Sequence, residues 1–211
     1  MASRPLRIGI LAIVAFAAGL VLARLLMPAR VEPPQTERAT LLPEPRPLPP
    51  LDLVDQDGRP LPAEFLAGHW TLVFFGFTQC PDICPTMLAT LAQARRQLAD
   101  LPESDRPRVL LVSVDPERDT PERLAAYVRF FDPSFLGATG TAAATAAAAA
   151  AFGVPYAKVQ MPEGGYTMDH GSGLFVVGTD GALQAYLSGP HEAGTIARDY
   201  RKIVAWKEAG R

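Results

Sequence analysis

Apolar residues run without interruption through residues 8–23, vanish as a periodic signal, and return from residue 51 in spacings that switch between strand and helix. Counted past Arg24 to Met27, the first run reaches the length of about 20 residues that crosses a hydrocarbon core. The rival reading is a cleaved signal peptide. Its apolar region usually spans about 7–15 residues, and no clear A-x-A cleavage site follows here. The expectation is therefore an uncleaved transmembrane anchor over residues 8–27, behind a short tail of residues 1–7. Arg4 and Arg7 precede the run and Arg24 and Arg30 follow it, so the positive-inside rule orients it only weakly. The short tail favours an inside N-terminus. That places the rest of this single-pass chain on the periplasmic side of the cell inner membrane.

Residues 28–50 contain Pro28, Pro33, Pro34, Pro43, Pro45, Pro47, Pro49 and Pro50 and almost no apolar period. They predict an extended, polyproline-like linker, rising about 3.1 Å per residue. Residues 51–211 then read as one domain. LDLVDQDGRP alternates and ends in an Asp57-Gly58 turn, and residues 71–77 form a short β-rich apolar run. A helix follows to about Asp100, with Pro85 at its first position and Leu88, Leu91, Ala92, Arg95 and Leu98 near a 3.6 period. VLLVSV, residues 109–114, predicts a buried strand. DTPERLAAYVRFF starts a second helix with Asp119 or Thr120 as cap, followed by Pro121 and Glu122.

TAAATAAAAAAFG, residues 141–153, predicts a closely packed helix ended by Gly153, because alanine is the best helix former. A short strand near residues 157–160, a glycine-bearing loop, two strands around Thr179-Asp180-Gly181 and a helix over residues 192–207 complete the domain. Strand, helix, strand, helix, with a hairpin and helix at the end, describes an α/β thioredoxin-like sandwich. A formal charge of −2 argues against nucleic-acid binding and selects no other partner class.

The two cysteines, Cys80 and Cys84, lie in GFTQCPDICP, between a buried strand and a helix, where open α/β sheets present ligand sites. Pro85 disfavours helical geometry at the residue before it, so Cys84 is expected at the N-cap and Cys80 on the preceding loop. A helix N-terminus favours the thiolate, which is both a nucleophile and a soft metal ligand. Three residues separate the thiols instead of the two of thioredoxin-like oxidoreductases. This spacing lets both sulfurs face one ion and still close a disulfide. A permanent staple is the plainer reading, yet so small a ring removes little chain entropy.

A metal held by two thiolates wants a further donor, and the chain has three histidines. His69 precedes the first core strand and is expected in solvent. His191, in SGPHEAG, reads as a surface or capping residue. His170, in the loop sequence YTMDHGSG, stands beside Asp169, which is either an acceptor orienting the imidazole or a solvated carboxylate. Asp115 and Asp119 have adequate readings as turn and cap residues.

GFTQCPDICP, VSVDPERDTP (residues 112–121) and YTMDH (residues 166–170) together resemble the Sco/SenC family of copper proteins, which help assemble the dinuclear copper centre of cytochrome c oxidase. The resemblance implies that Cys80, Cys84 and His170 bind one copper ion. Two soft sulfurs and one imidazole independently suit Cu(I), with a vacant position that permits transfer. It also implies a membrane-tethered metallochaperone, whose partners are the oxidase copper-binding subunit, a copper donor and a thiol reductant. A thiol-disulfide oxidoreductase that reduces the cysteines of that copper site, or a redox or copper sensor, would use the same residues. A peroxidase fits less well, because Thr78 gives T-x-C where T-x-x-C is expected. The chain departs from the family at Gly171, where a serine usually follows the histidine, and in its alanine run. Gly164, Gly165, Gly171 and Gly173 fit either a mobile loop or plain turns.

Overall fold

The structure is a computed structural model and describes residues 9, 12, 13, 15–22 and 32–209. Pro33–Glu208 forms one compact unit. Its centre is β3 (Thr71–Gly76), whose six residues are all buried, the pattern of a strand covered on both faces. β4 (Arg108–Ser113) and β5 (Leu136–Thr139) extend the sheet from it in parallel. β8 (Leu174–Val177) and β9 (Ala182–Leu187) continue the other side as an antiparallel hairpin. With β1 (Ala39–Pro47) and β2 (Val54–Asp55) at the edges, the order is β1-β9-β8-β3-β4-β5-β2. A separate two-stranded sheet joins β6 (Tyr156–Gln160) to β7 (Tyr166–His170).

Four helices complete the unit: α1 (Ile83–Gln97), α2 (Pro121–Phe131), α3 (Ala142–Phe152) and α4 (Ala193–Ala209). α1 buries Cys84, Met87, Leu88, Leu91, Ala92 and Ala94, the stripe that its helical period predicts. α2 starts at Thr120, whose hydroxyl accepts the Arg123 N–H, and α3 starts at Thr141, whose hydroxyl accepts the Ala144 N–H. α3 ends at Gly153 with φ 72°, a left-handed closure open to glycine without a Cβ penalty. Ala144, Ala148, Ala149 and Phe152 are its buried face. Trp70, Phe74, Phe75 and Phe77 lie in the core, each contributing roughly 1.5–3 kcal/mol through burial. These elements bear out the thioredoxin-like α/β reading.

Several details differ from the sequence expectations. Residues 39–47, assigned to the linker, are an edge strand paired with β9 and interrupted by a register shift between Leu41 and Arg46. An edge position tolerates Pro43, Pro45 and Pro47, because a missing N–H costs little where it would face solvent. The buried Asp199 carboxylate fastens this segment, accepting the Glu37, Arg38 and Ala39 N–H groups at 2.7–2.9 Å. YTMDH is strand β7 rather than a loop. Gly164 and Gly165, with φ of 95° and 77°, form the turn before it. β5 escaped the sequence reading because Leu136–Thr139 contains a glycine and shows neither period clearly.

Of the anchor assigned to residues 8–27, residues 8, 10, 11, 14 and 23–27 lie outside the described residues. Residues 15–22 are helical and exposed. Among the described residues, no helix is long and apolar enough to cross a membrane.

Candidate metal centre

Gly76 ends β3 directly beneath the cysteine loop. A Cβ placed on it would lie 2.9 Å from Cys84 Sγ, so the absent side chain makes the space that the sulfur occupies. The loop then reaches Asp82, the N-cap of α1, and Cys84 falls inside the first helical turn rather than at the cap. Pro85 is accommodated one residue further in, because the first four helical N–H groups have no intrahelical acceptor. The Cys84 N–H instead donates to Cys80 Sγ at 3.4 Å. Both thiols are free, with Cys84 fully buried and Cys80 half-buried.

β7 delivers His170 to the same place. Its Nε2 is 3.6 Å from Cys84 Sγ, across 86 residues of sequence. Its Nδ1 is 3.0 Å from the Gly171 carbonyl. A carbonyl only accepts, so Nδ1 is the donor to Gly171, and Nε2 is the ring nitrogen that faces Cys84. Phe74 and Phe77 wall the imidazole edge-on, with ring centroids 6.0 and 5.9 Å away. Asp169 does not orient the ring. It is exposed, since successive side chains of a strand face opposite ways.

Burial pushes the Cys84 thiol well above the usual range, and the neighbouring Cys80 adds to the effect. This reverses the expectation of an acidified thiol. Complete desolvation of the sulfur outweighs the pull of the helix N-terminus. In the metal-free state Cys84 thus keeps its proton, and its sulfur faces His170 Nε2. With metal–sulfur and metal–nitrogen bonds of about 2.3 and 2.0 Å, the 3.6 Å separation corresponds to an S–metal–N angle of about 110°. A soft ion can replace the proton between these two atoms. Among the described residues, no three His, Cys, Asp or Glu side chains form a ready-made ion-binding group. The convergence is pairwise, with Cys84 common to both pairs.

His69 is exposed, as expected. His191 is half-buried, its Nε2 2.9 Å from the Ser172 carbonyl, and it braces the segment that follows His170. Asp115 and Asp119 do more than turn and cap. Thr120 is the cap of α2, while Asp119 is buried and accepts the Thr78 N–H at 3.1 Å and the Thr78 and Ser113 hydroxyls at 2.6 Å. Asp119 thereby fixes the root of the cysteine loop. Burial raises its carboxyl pKa, and the Ser113 and Thr78 donors oppose that rise. Asp115, also buried, accepts the Tyr166 hydroxyl at 2.9 Å at the start of β7. The sequence signal for both was their place in VSVDPERDTP, directly after a buried strand.

A thioredoxin-like sheet with two thiols at a helix start and an imidazole over them defines a thiol-based redox or soft-metal protein. The SCO1/SenC family model matches residues 43–205, and the chain belongs to that family. A protein of Stutzerimonas stutzeri is 40% identical over 166 residues, covering 78% of this chain and 80% of its own. The chain spans between 48% and 80% of the length of such relatives. Arabidopsis thaliana ScoI with copper bound superposes with a TM-score of 0.69 at 28% identity, over 76% of this chain and 98% of that one. BsSco, a member of the Sco family of cytochrome c oxidase assembly proteins in which a disulfide switch was identified, superposes with a TM-score of 0.58 at 26% identity. That match covers 78% of this chain and 98% of BsSco.

Proposed function

We propose that this chain is a copper metallochaperone that carries one copper ion on Cys80, Cys84 and His170 and delivers it to the dinuclear copper site of cytochrome c oxidase. The observation that carries the reading is the His170 Nε2 held 3.6 Å from the buried sulfur of Cys84. Cys80 completes the set by turning its half-buried sulfur from the Cys84 amide toward the same point. Three ligands, one of them on a separate hairpin, leave a position at which a receiving protein's donor can enter before the last bond breaks. Copper is cargo in this scheme. Residues 8–27 would tether the domain to the inner membrane on the periplasmic side, with residues 28–38 as the short remaining linker.

Copper titration of the reduced protein tests this reading. One equivalent should bind, and His170→Ala should weaken binding at least tenfold with its thermal midpoint unchanged. Equal affinity in the variant would refute it.

Thiol-disulfide exchange is supported by the 3.4 Å contact of the Cys84 amide with Cys80 Sγ, which keeps both cysteines together at the start of α1. The half-buried Cys80 thiolate would attack a partner disulfide, giving a mixed disulfide and one released partner thiolate. Cys84, passing its proton to the thiolate first released, would then displace the second, leaving Cys80–Cys84 oxidised and the partner reduced. Cys84→Ser should trap the mixed disulfide. The two activities alternate, because the disulfide removes both sulfur ligands and an upstream thiol reductant must restore them.

A further inference from the structure

The hairpin that carries His170 shares no strand ladder with the sheet that carries the cysteines. Apart from the short chain link from His170 to β8, its distance from them is therefore set by side chains. Phe74 and Phe77 wall His170 itself, and at the far end of β7 the contacts come from the turn at residues 115–119, where one residue reaches both halves. Arg118 Nη1 donates to Gln79 Oε1 at 3.1 Å, beside Cys80, and to the Tyr166 carbonyl at 2.9 Å, at the start of β7. Its Nε donates to the buried carboxylate of Asp115, which also takes the Tyr166 hydroxyl. The guanidinium lies 3.7 Å from the Tyr166 ring centroid and 6.0 Å from that of Phe77, which walls His170.

We propose that Arg118 is a positioning residue that clamps β7 to the cysteine loop and so sets the spacing between Cys84 and His170. The clamp rests on the copper reading for its purpose and on contacts alone for its existence. Tyr166 is gripped at its carbonyl, its ring face and, through Asp115, its hydroxyl. His170 lies four residues further along the strand, roughly 13 Å at 3.3 Å per residue. A second tie from the same turn, Lys158 to Glu117, is an exposed ion pair of the kind that contributes little. Arg118 is mostly shielded, and its planar fork serves three acceptors at once, which a lysine ammonium on a flexible stem does not reproduce.

Arg118→Met keeps the apolar stem and removes every donor. It should lower copper affinity about tenfold in the otherwise native chain and leave it unchanged in a His170→Ala background, because the clamp acts through the imidazole. The Cu(II) form of Arg118→Met should also lose nitrogen hyperfine structure from its electron paramagnetic resonance spectrum. An equal loss of affinity in both backgrounds, or none in either, overturns the proposal. Should Arg118→Met fail to fold, Arg118→Lys carries the same cycle with the same expected outcome. Amide exchange on the metal-free protein separates the clamp from the copper reading. Faster exchange over Tyr166–His170 in the variant, with α1 unchanged, supports the clamp even if wild type binds no copper. Unchanged exchange there overturns it.

Discussion

Gly76→Ala probes the site through a position that touches no metal. The new Cβ would meet Cys84 Sγ and Phe74 Cε1 at 2.9 Å and Leu111 Cδ1 at 3.2 Å. Replacing glycine at an unstrained position gains about 0.4–1 kcal/mol from the unfolded chain. Overpacking a filled core costs about 1–3 kcal/mol. The clash outweighs the gain, because it presses on a buried sulfur and a fully buried ring at once. The net loss of about 1 kcal/mol lowers the midpoint of a domain this size by about 2–4 °C. A shift of about 0.5 Å in Cys84 Sγ away from His170 opens the implied S–metal–N angle from about 110° to about 145° at fixed bond lengths. Phe74, which walls the imidazole, moves with it. The expected result is a slightly destabilised fold with copper affinity reduced at least tenfold, a loss of about 1.4 kcal/mol. Thermal unfolding and copper competition titration on the reduced protein read the two effects. A variant with both at wild-type values would refute the claim that Gly76 makes room for the ligand sulfur.

Three further outcomes concern Cys84 and Asp199. Copper uptake near neutral pH should release a proton from Cys84, measurable by titration in buffers of different ionisation enthalpy, and affinity should strengthen as pH rises. The folded thiol pKa lies above its ordinary value of 9.0, so its contribution to stability is full below that value and is lost as pH rises beyond it; the reduced, metal-free protein should lose stability there relative to Cys84→Ser. Asp199→Ala should cost about 2–4 kcal/mol, because three backbone donors lose a charged acceptor, and amide exchange should quicken along β1 before the rest of the sheet.

Helix periods, the Thr120 and Thr141 caps, the Gly153 stop and the buried runs of β3 and β4 were legible because they arise from interactions within a few residues. Donor chemistry was legible too: two sulfurs at a strand-to-helix turn and one histidine in a family motif. Burial was not. The acidity of Cys84 was misjudged because a helix N-terminus is a local feature, whereas the desolvation that overrides it comes from Gly76, Phe74 and the rest of the packed core. Prolines likewise masked β1, whose partner β9 and anchor Asp199 lie far along the chain.

The sequence by itself determined which atoms could bind a soft ion, the helices and the central strands β3 and β4, but not β1, β5 or β7. Tertiary structure alone decided that Nε2 of His170 meets the sulfur of Cys84, that Asp119 roots the cysteine loop through Thr78, and that Arg118 spans the two halves. The reason is distance along the chain. These contacts join groups 39 to 86 residues apart, and only the long-range packing of the sheet and hairpin brings them within bonding reach.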